Sequence, residues 1–88
     1  MSTGGCLAVD VDGTLVTRGV VNRKVLGMIH QAQAQNFDVL IWSRRGRDVA
    51  VNAAVLAGVA GALCCAKPTH IVDDKGLSWL KDTVVAVV

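Results

Sequence analysis

Asp10 and Asp12 stand one residue apart in Asp10-Val11-Asp12-Gly13-Thr14-Leu15, directly after the apolar run Cys6 to Val9. Two carboxylates a few ångströms apart repel each other and raise one another's pKa unless a positive group joins them. The chain offers partners further on: Ser43 after Val39-Leu40-Ile41-Trp42, Lys67 before Pro68, and the pair Asp73-Asp74 after Ile71-Val72. Acids gathered at one place need a cation, and Mg2+ suits them, since it prefers hard oxygen ligands and takes one or two carboxylates plus a phosphate oxygen. Asp10 and one acid of the later pair are the expected carboxylate ligands. Asp73 is favoured for direct contact, and Asp74 for contact through water or for orienting the shell.

The elements that must position these groups follow from the apolar pattern. Cys6 to Val9 is continuously apolar rather than alternating, which predicts that the strand Cys6 to Val11 is buried on both faces. Gly13-Thr14 then forces a turn, so the strand presents both acids at the edge of a sheet. After a short excursion from Gly13 to Gly19, Asn22 is the expected N-cap of a helix to about Gln35. Val25, Met28, Ile29 and Ala32 share one face of that helix, and Asn36 suits its left-handed exit. Asp38 to Trp42 predicts a second strand, with Ser43-Arg44-Arg45-Gly46 as the loop at its C-terminal end. A helix over Val49 to Ala57, capped by Gly58, leads to strands at Ala62 to Cys65 and Thr69 to Val72, on either side of a Lys67-Pro68 turn. A short helix over Gly76 to Leu80 and a last strand over Thr83 to Val88 complete the pattern.

Alternating strands and helices imply an α/β fold, a mostly parallel sheet joined by right-handed crossovers. In such a sheet ligands bind beyond the carboxyl ends of the strands. Asp10, Asp12, Ser43, Lys67, Asp73 and Asp74 all fall at or just after predicted strand ends, so the topology should bring them to one rim.

The 88 residues allow one domain, 1–88. With 52% apolar residues, few aromatics and no Tyr or Glu, the core must be built from Val, Ala and Leu. A net charge of +2 is too small to argue for nucleic-acid binding by itself. Cys6, Cys64 and Cys65 are odd in number and sit in apolar runs, which predicts reduced core cysteines and a cytoplasmic location. Met1-Ser2-Thr3-Gly4-Gly5 lacks the features of a signal peptide. The uncharged stretch Val49 to Ala66 is broken by Asn52, Gly58 and Gly61, so no membrane span is expected. His30 and His70 have no partners at ligand spacing and read as structural, and Thr14 reads as a turn stabiliser.

The order of these motifs, DxDGTL on the first strand, a Ser after the second, a Lys and then two Asp, resembles the haloacid dehalogenase (HAD) superfamily, from about Cys6 to about Leu80. Members are mostly magnesium-dependent phosphohydrolases with a Rossmann-like sheet and helices on both faces. The resemblance implies Asp10 as nucleophile, forming an aspartyl-phosphate, with Asp12 as general acid and base. It adds the main-chain carbonyl of Asp12 to the metal ligands. It implies that Ser43 and the amide after it hold a phosphate oxygen beside Asp12-Gly13, and that Lys67 stabilises both Asp10 and the transferred group. Arg44, Arg45 and Arg47 form a dense basic patch next to Ser43. It reads equally as a solvated loop or as a substrate contact, with Arg44 a candidate phosphate ligand.

Most members of that superfamily carry a cap domain. Here the gap from Asp10 to Ser43 holds a flap and one helix, and that from Ser43 to Lys67 holds one helix and a strand. Neither gap holds a cap, which implies an open site, argues against specificity for a small metabolite, and suggests a macromolecular substrate or a neighbouring subunit of a homo-oligomer that closes the site. The expected partner is a phosphorylated substrate, a small phosphoester or a phosphorylated macromolecule end, with nucleic acid allowed but not indicated. The expected function is a phosphomonoester phosphatase. The alternative is a catalytically silent phosphate- or metal-binding module with an assembly or regulatory role. A phosphoacceptor receiver domain fits less well, because its paired acids come first in the chain, whereas here the pair comes last.

Overall fold

The computed structural model describes residues 4–88. The apolar run after Gly5 forms β1 (Cys6–Asp10), and the chain then turns into a small antiparallel hairpin of β2 (Val16–Thr17) and β3 (Val20–Val21). Arg18 and Gly19 both have positive φ (51° and 76°) between these strands, the two-residue turn whose twist matches a hairpin. Asn22 caps α1 (Arg23–Ala34): its Oδ1 accepts from the backbone N–H groups of Lys24 and Val25 at 3.0 and 3.2 Å. Asn36 leaves that helix with φ 60°. β4 (Asp38–Ser43), α2 (Arg47–Ala57) and β5 (Leu63–Ala66) follow, and Gly58 ends α2 in the left-handed conformation at φ 69°.

The three longer strands form a parallel sheet in the order β1-β4-β5, with Asp10 beside Trp42 and Ser43 beside Ala66. Both crossovers step in the same direction along the sheet, so right-handed connections put α1 and α2 on the same face. The core agrees. Val25, Ile29 and Ala32 of α1 share one cluster with Ala50, Ala53 and Ala54 of α2, over Val9, Val39 and Ile41 of the sheet. Gln33 of α1 also donates to the Ala60 carbonyl just beyond α2 at 2.7 Å, tying the two helix ends together.

This arrangement corrects the expectation of helices on both faces. Among the described residues the chain does not return to the far side of β1, and no helix covers the second face. It also corrects the reading of β1 as buried on both faces: Cys6 and Ala8 are exposed, while Val9 is buried. Cys6 is therefore a surface thiol rather than a core residue, and Cys64 and Cys65 are half-buried; all three are free. On α1 it is Leu26, not Met28, that is buried with Val25, Ile29 and Ala32.

The expected strands at Thr69 to Val72 and Thr83 to Val88 do not form, and the short helix appears as a 3-10 turn over Ser78–Asp82. β-branched residues favour a strand only where a neighbouring strand supplies partners. Here Val72 is 103% exposed, and Val84 and Val87 are nearly as open. Among the described residues, no helix is long and apolar enough to cross a membrane.

The core should thus be concentrated in the stretch up to β5. Ile41→Ala, at a fully buried position, should cost about 2–5 kcal/mol in chemical denaturation. Val72→Ala should stay within about 0.5 kcal/mol of wild type. Equal losses at the two positions would contradict this placement of the core.

Candidate active site

The site is built at the carboxyl ends of the three parallel strands. β1 ends at Asp10, and a tight turn holds Asp12 close behind it. The Leu15 N–H donates to the Asp10 carbonyl at 3.1 Å, and Gly13 donates to the Val16 carbonyl at 3.0 Å. Leu15 is fully buried and pins the turn to the core. Gly13 has φ 76°, a conformation that side chains with a Cβ adopt only under strain.

β4 ends at Ser43, the buried polar residue of the core, which is 0% exposed. Its hydroxyl donates to Asp12 Oδ2 at 2.9 Å and accepts from the Arg45 N–H at 3.0 Å. Its carbonyl accepts from the Gly46 N–H at 3.1 Å and from the Lys67 N–H at 2.9 Å. That last bond ties the end of β5 to the end of β4. It places the Lys67 ammonium 3.9 Å from Asp10 Oδ1, an ion pair too long to be a hydrogen bond.

Arg45 reaches back over the turn. Its Nε and Nη2 both donate to Asp12 Oδ1, at 3.1 and 2.6 Å. Hydrogen bonding from the Arg45 guanidinium, followed by that from the Ser43 hydroxyl, lowers the pKa of Asp12 below the usual carboxylate value, and the same contact raises that of Arg45. The pair is open to solvent, with side-chain exposures of 66% for Arg45 and 43% for Asp12, so salt screens it.

Asp10, Asp12, Arg44, Arg45 and Lys67 line a cleft of about 480 Å³. Three cations face two carboxylates there, leaving one positive charge in excess, which favours an anion. Asp10 accepts no hydrogen bond through its carboxylate among the described residues, so its oxygens face the cleft with Lys67 alongside.

Of the residues expected at the site, the fold therefore brings together Asp10, Asp12, Gly13, Ser43, Arg44 and Lys67. Ser43 does not face the cleft as expected of a phosphate ligand; it lies beneath Asp12 and spends its one O–H donor there. Asp73 and Asp74 are not brought to this rim. With no strand over Thr69 to Val72 to carry them, they sit in an exposed segment, where Asp73 Oδ1 accepts the Lys75 N–H at 2.8 Å. Among the described residues, no group of three or more His, Cys, Asp or Glu side chains could hold a metal ion. His30 is exposed on α1, and His70 Nδ1 lies 2.7 Å from the Thr69 hydroxyl.

Two oxygen donors of the kind Mg2+ takes are open here, beside an excess of positive charge. Asp10 offers a carboxylate in the cleft, and the nearby Asp12 carbonyl is bonded to no other described residue. Mg2+ commonly leaves its remaining positions to water and phosphate.

Arg45 belongs to the basic patch read equally as a solvated loop or a substrate contact, with its neighbour Arg44 singled out for phosphate; the pairing of Arg45 with Asp12 was not expected. No local signal separates Arg45 from Arg44; the path of the loop after Ser43 brings Arg45 to Asp12.

Comparison with protein-family models, with curated proteins and with solved structures finds no match for this chain.

Because the pKa of Asp12 is lower in the folded than in the unfolded chain, its interactions stabilise the fold above the usual carboxylate range. That contribution is lost as the pH falls through the lowered value. An NMR titration of the side-chain carboxyls should place the Asp12 midpoint below the ordinary Asp value, and Arg45→Ala should move it upward. A midpoint unmoved by that substitution would show that Arg45 is not the main cause.

Proposed function

We propose that this chain is a Mg2+-dependent phosphohydrolase acting on phosphomonoesters through an aspartyl-phosphate on Asp10, with a Rossmann-like, HAD-like core and no cap. The observation that carries the reading is the pairing at the cleft. Asp10 and Asp12 lie on one open rim, each with its own cation, Lys67 for Asp10 and Arg45 for Asp12.

In this reading an Asp10 oxygen attacks phosphorus as the bond to the ester oxygen breaks. Asp12, ionised while Arg45 holds it, must first take up a proton from solvent. It gives that proton to the departing oxygen and regains one from the water that cleaves the aspartyl-phosphate and releases phosphate. Lys67 compensates the charge on Asp10 and on the transferred phosphoryl group. Arg44, which makes no ion pair among the described residues, is available to a phosphate oxygen from the rim. Ser43 acts through Asp12, fixing its carboxylate over the strand end. Mg2+, held by the Asp10 carboxylate and the Asp12 carbonyl, would supply charge neutralisation for the phosphate.

A second reading, a phosphate- or metal-binding module without turnover, is favoured by one observation: Asp73 and Asp74 stand outside the cleft, so the acids at hand are two rather than four. Turnover decides between the two. An aryl phosphate should be hydrolysed with Mg2+ present, and chelation with EDTA should stop it. Asp10→Asn should reduce the rate to background, and Asp12→Asn should lower kcat by about 10²–10⁴-fold. Hydrolysis that survives Asp10→Asn would overturn the proposed nucleophile, and no hydrolysis across a panel of phosphoesters would favour the binding module.

A further inference from the structure

Resting on the phosphate-binding part of that reading, we infer that Arg45 is a substrate-responsive residue: its guanidinium holds Asp12 in this structure and passes to an incoming phosphate, which frees Asp12 for the ester. The geometry of the contact carries the argument. A guanidinium and a carboxylate match best as two parallel bonds to two oxygens. Here both Arg45 nitrogens donate to Oδ1 alone, while Oδ2 accepts from the Ser43 hydroxyl. The fork is therefore imperfectly matched by Asp12. A phosphate, with several oxygens and a larger charge, can satisfy it fully.

Three further features make the exchange local. The Arg45 backbone is fixed by its N–H bond to Ser43 Oγ, so only the side chain has to turn. That side chain is 66% exposed, and an exposed ion pair is weak enough to yield to a competing dianion. Arg45 also lines the same cleft as Asp10, Arg44 and Lys67, so an anion drawn to the excess positive charge arrives within its reach.

The exchange has a chemical purpose. In this structure Asp12 Oδ1 accepts two hydrogen bonds from Arg45, and Oδ2 accepts one from Ser43. Two donors fill the acceptor sites of Oδ1, so that oxygen is closed to a leaving group until Arg45 departs. Ser43 is buried and cannot follow the substrate, whereas Arg45 is open and can. Binding of the phosphate itself would then make Asp12 available, and a solvent molecule without a phosphate would not.

The test is a titration of the whole protein with inorganic phosphate, following the Arg45 Nε–H resonance by NMR and affinity by calorimetry. Phosphate should move that resonance as the site saturates. Arg45→Ala should weaken phosphate binding about tenfold or more, as loss of a charge-assisted bond implies. Arg45→Lys, which keeps the charge but not the fork, should recover part of the affinity. In turnover, Arg45→Ala should raise KM and lower kcat together, and Arg45→Lys should restore KM more than kcat. Saturation with a stationary Arg45 resonance, or an Arg45→Ala variant that binds phosphate as tightly as wild type, overturns the exchange. The two proposals fail separately. Ester hydrolysis with a stationary Arg45 sinks the exchange alone, whereas a moving Arg45 resonance without hydrolysis of any ester supports the exchange and sinks the hydrolase.

Discussion

A buried hydroxyl must find partners within the protein, and Ser43 does so in a way that sets the geometry of the whole rim. Its oxygen gives one hydrogen bond to Asp12 and receives one from the Arg45 backbone, while its carbonyl receives the N–H groups of Gly46 and Lys67. One residue at the end of β4 thus determines where the acid after β1, the arginine of the following loop and the lysine after β5 all stand. Remove the hydroxyl and Asp12 loses its inner partner. Shift the strand end and Lys67 moves away from Asp10. The charges at the cleft are arranged by a neutral group beneath them.

The architecture that supports this rim is built to one side. Both crossovers run in the same direction, so α1 and α2 pack over Val9, Val39 and Ile41, and the alternate positions Cys6, Ala8, Leu40 and Trp42 lie on the uncovered face. Asp10 and Trp42 belong to that second set, while Ser43 belongs to the packed set with Val39 and Ile41. The site therefore straddles the sheet. The residue that holds Asp12 in place comes from the packed side, and Asp10 comes from the open one.

What the sequence disclosed depended on whether the signal was local. The caps at Asn22 and Gly58, the exit at Asn36 and the strands before Asp10 and Ser43 were legible because each rests on the conformation or hydrogen bonding of a few neighbouring residues. The placement of Asp10, Asp12 and Lys67 on one rim followed from strand ends alone. The coverage of the sheet was not legible, since Cys6, Ala8 and Leu40 read as apolar whether or not a helix lies over them. Thr69 to Val72 has strand composition, but its pairing depends on a neighbour that no local pattern specifies, and the position of Asp73 and Asp74 fell with it. Arg45 was hidden for a related reason. Which of two adjacent arginines turns inward is decided by the path of the loop, not by composition.

The register of β4 against β1 also gives the protein an optical handle. Trp42 lies directly beside Asp10 on the same face of the sheet and is half-buried, next in sequence to Ser43. The other indole, Trp79, belongs to the exposed 3-10 turn. An indole senses the polarity and charge around it. Emission from Trp42, isolated by replacing Trp79 with phenylalanine, would follow changes in charge at Asp10 without any attached label.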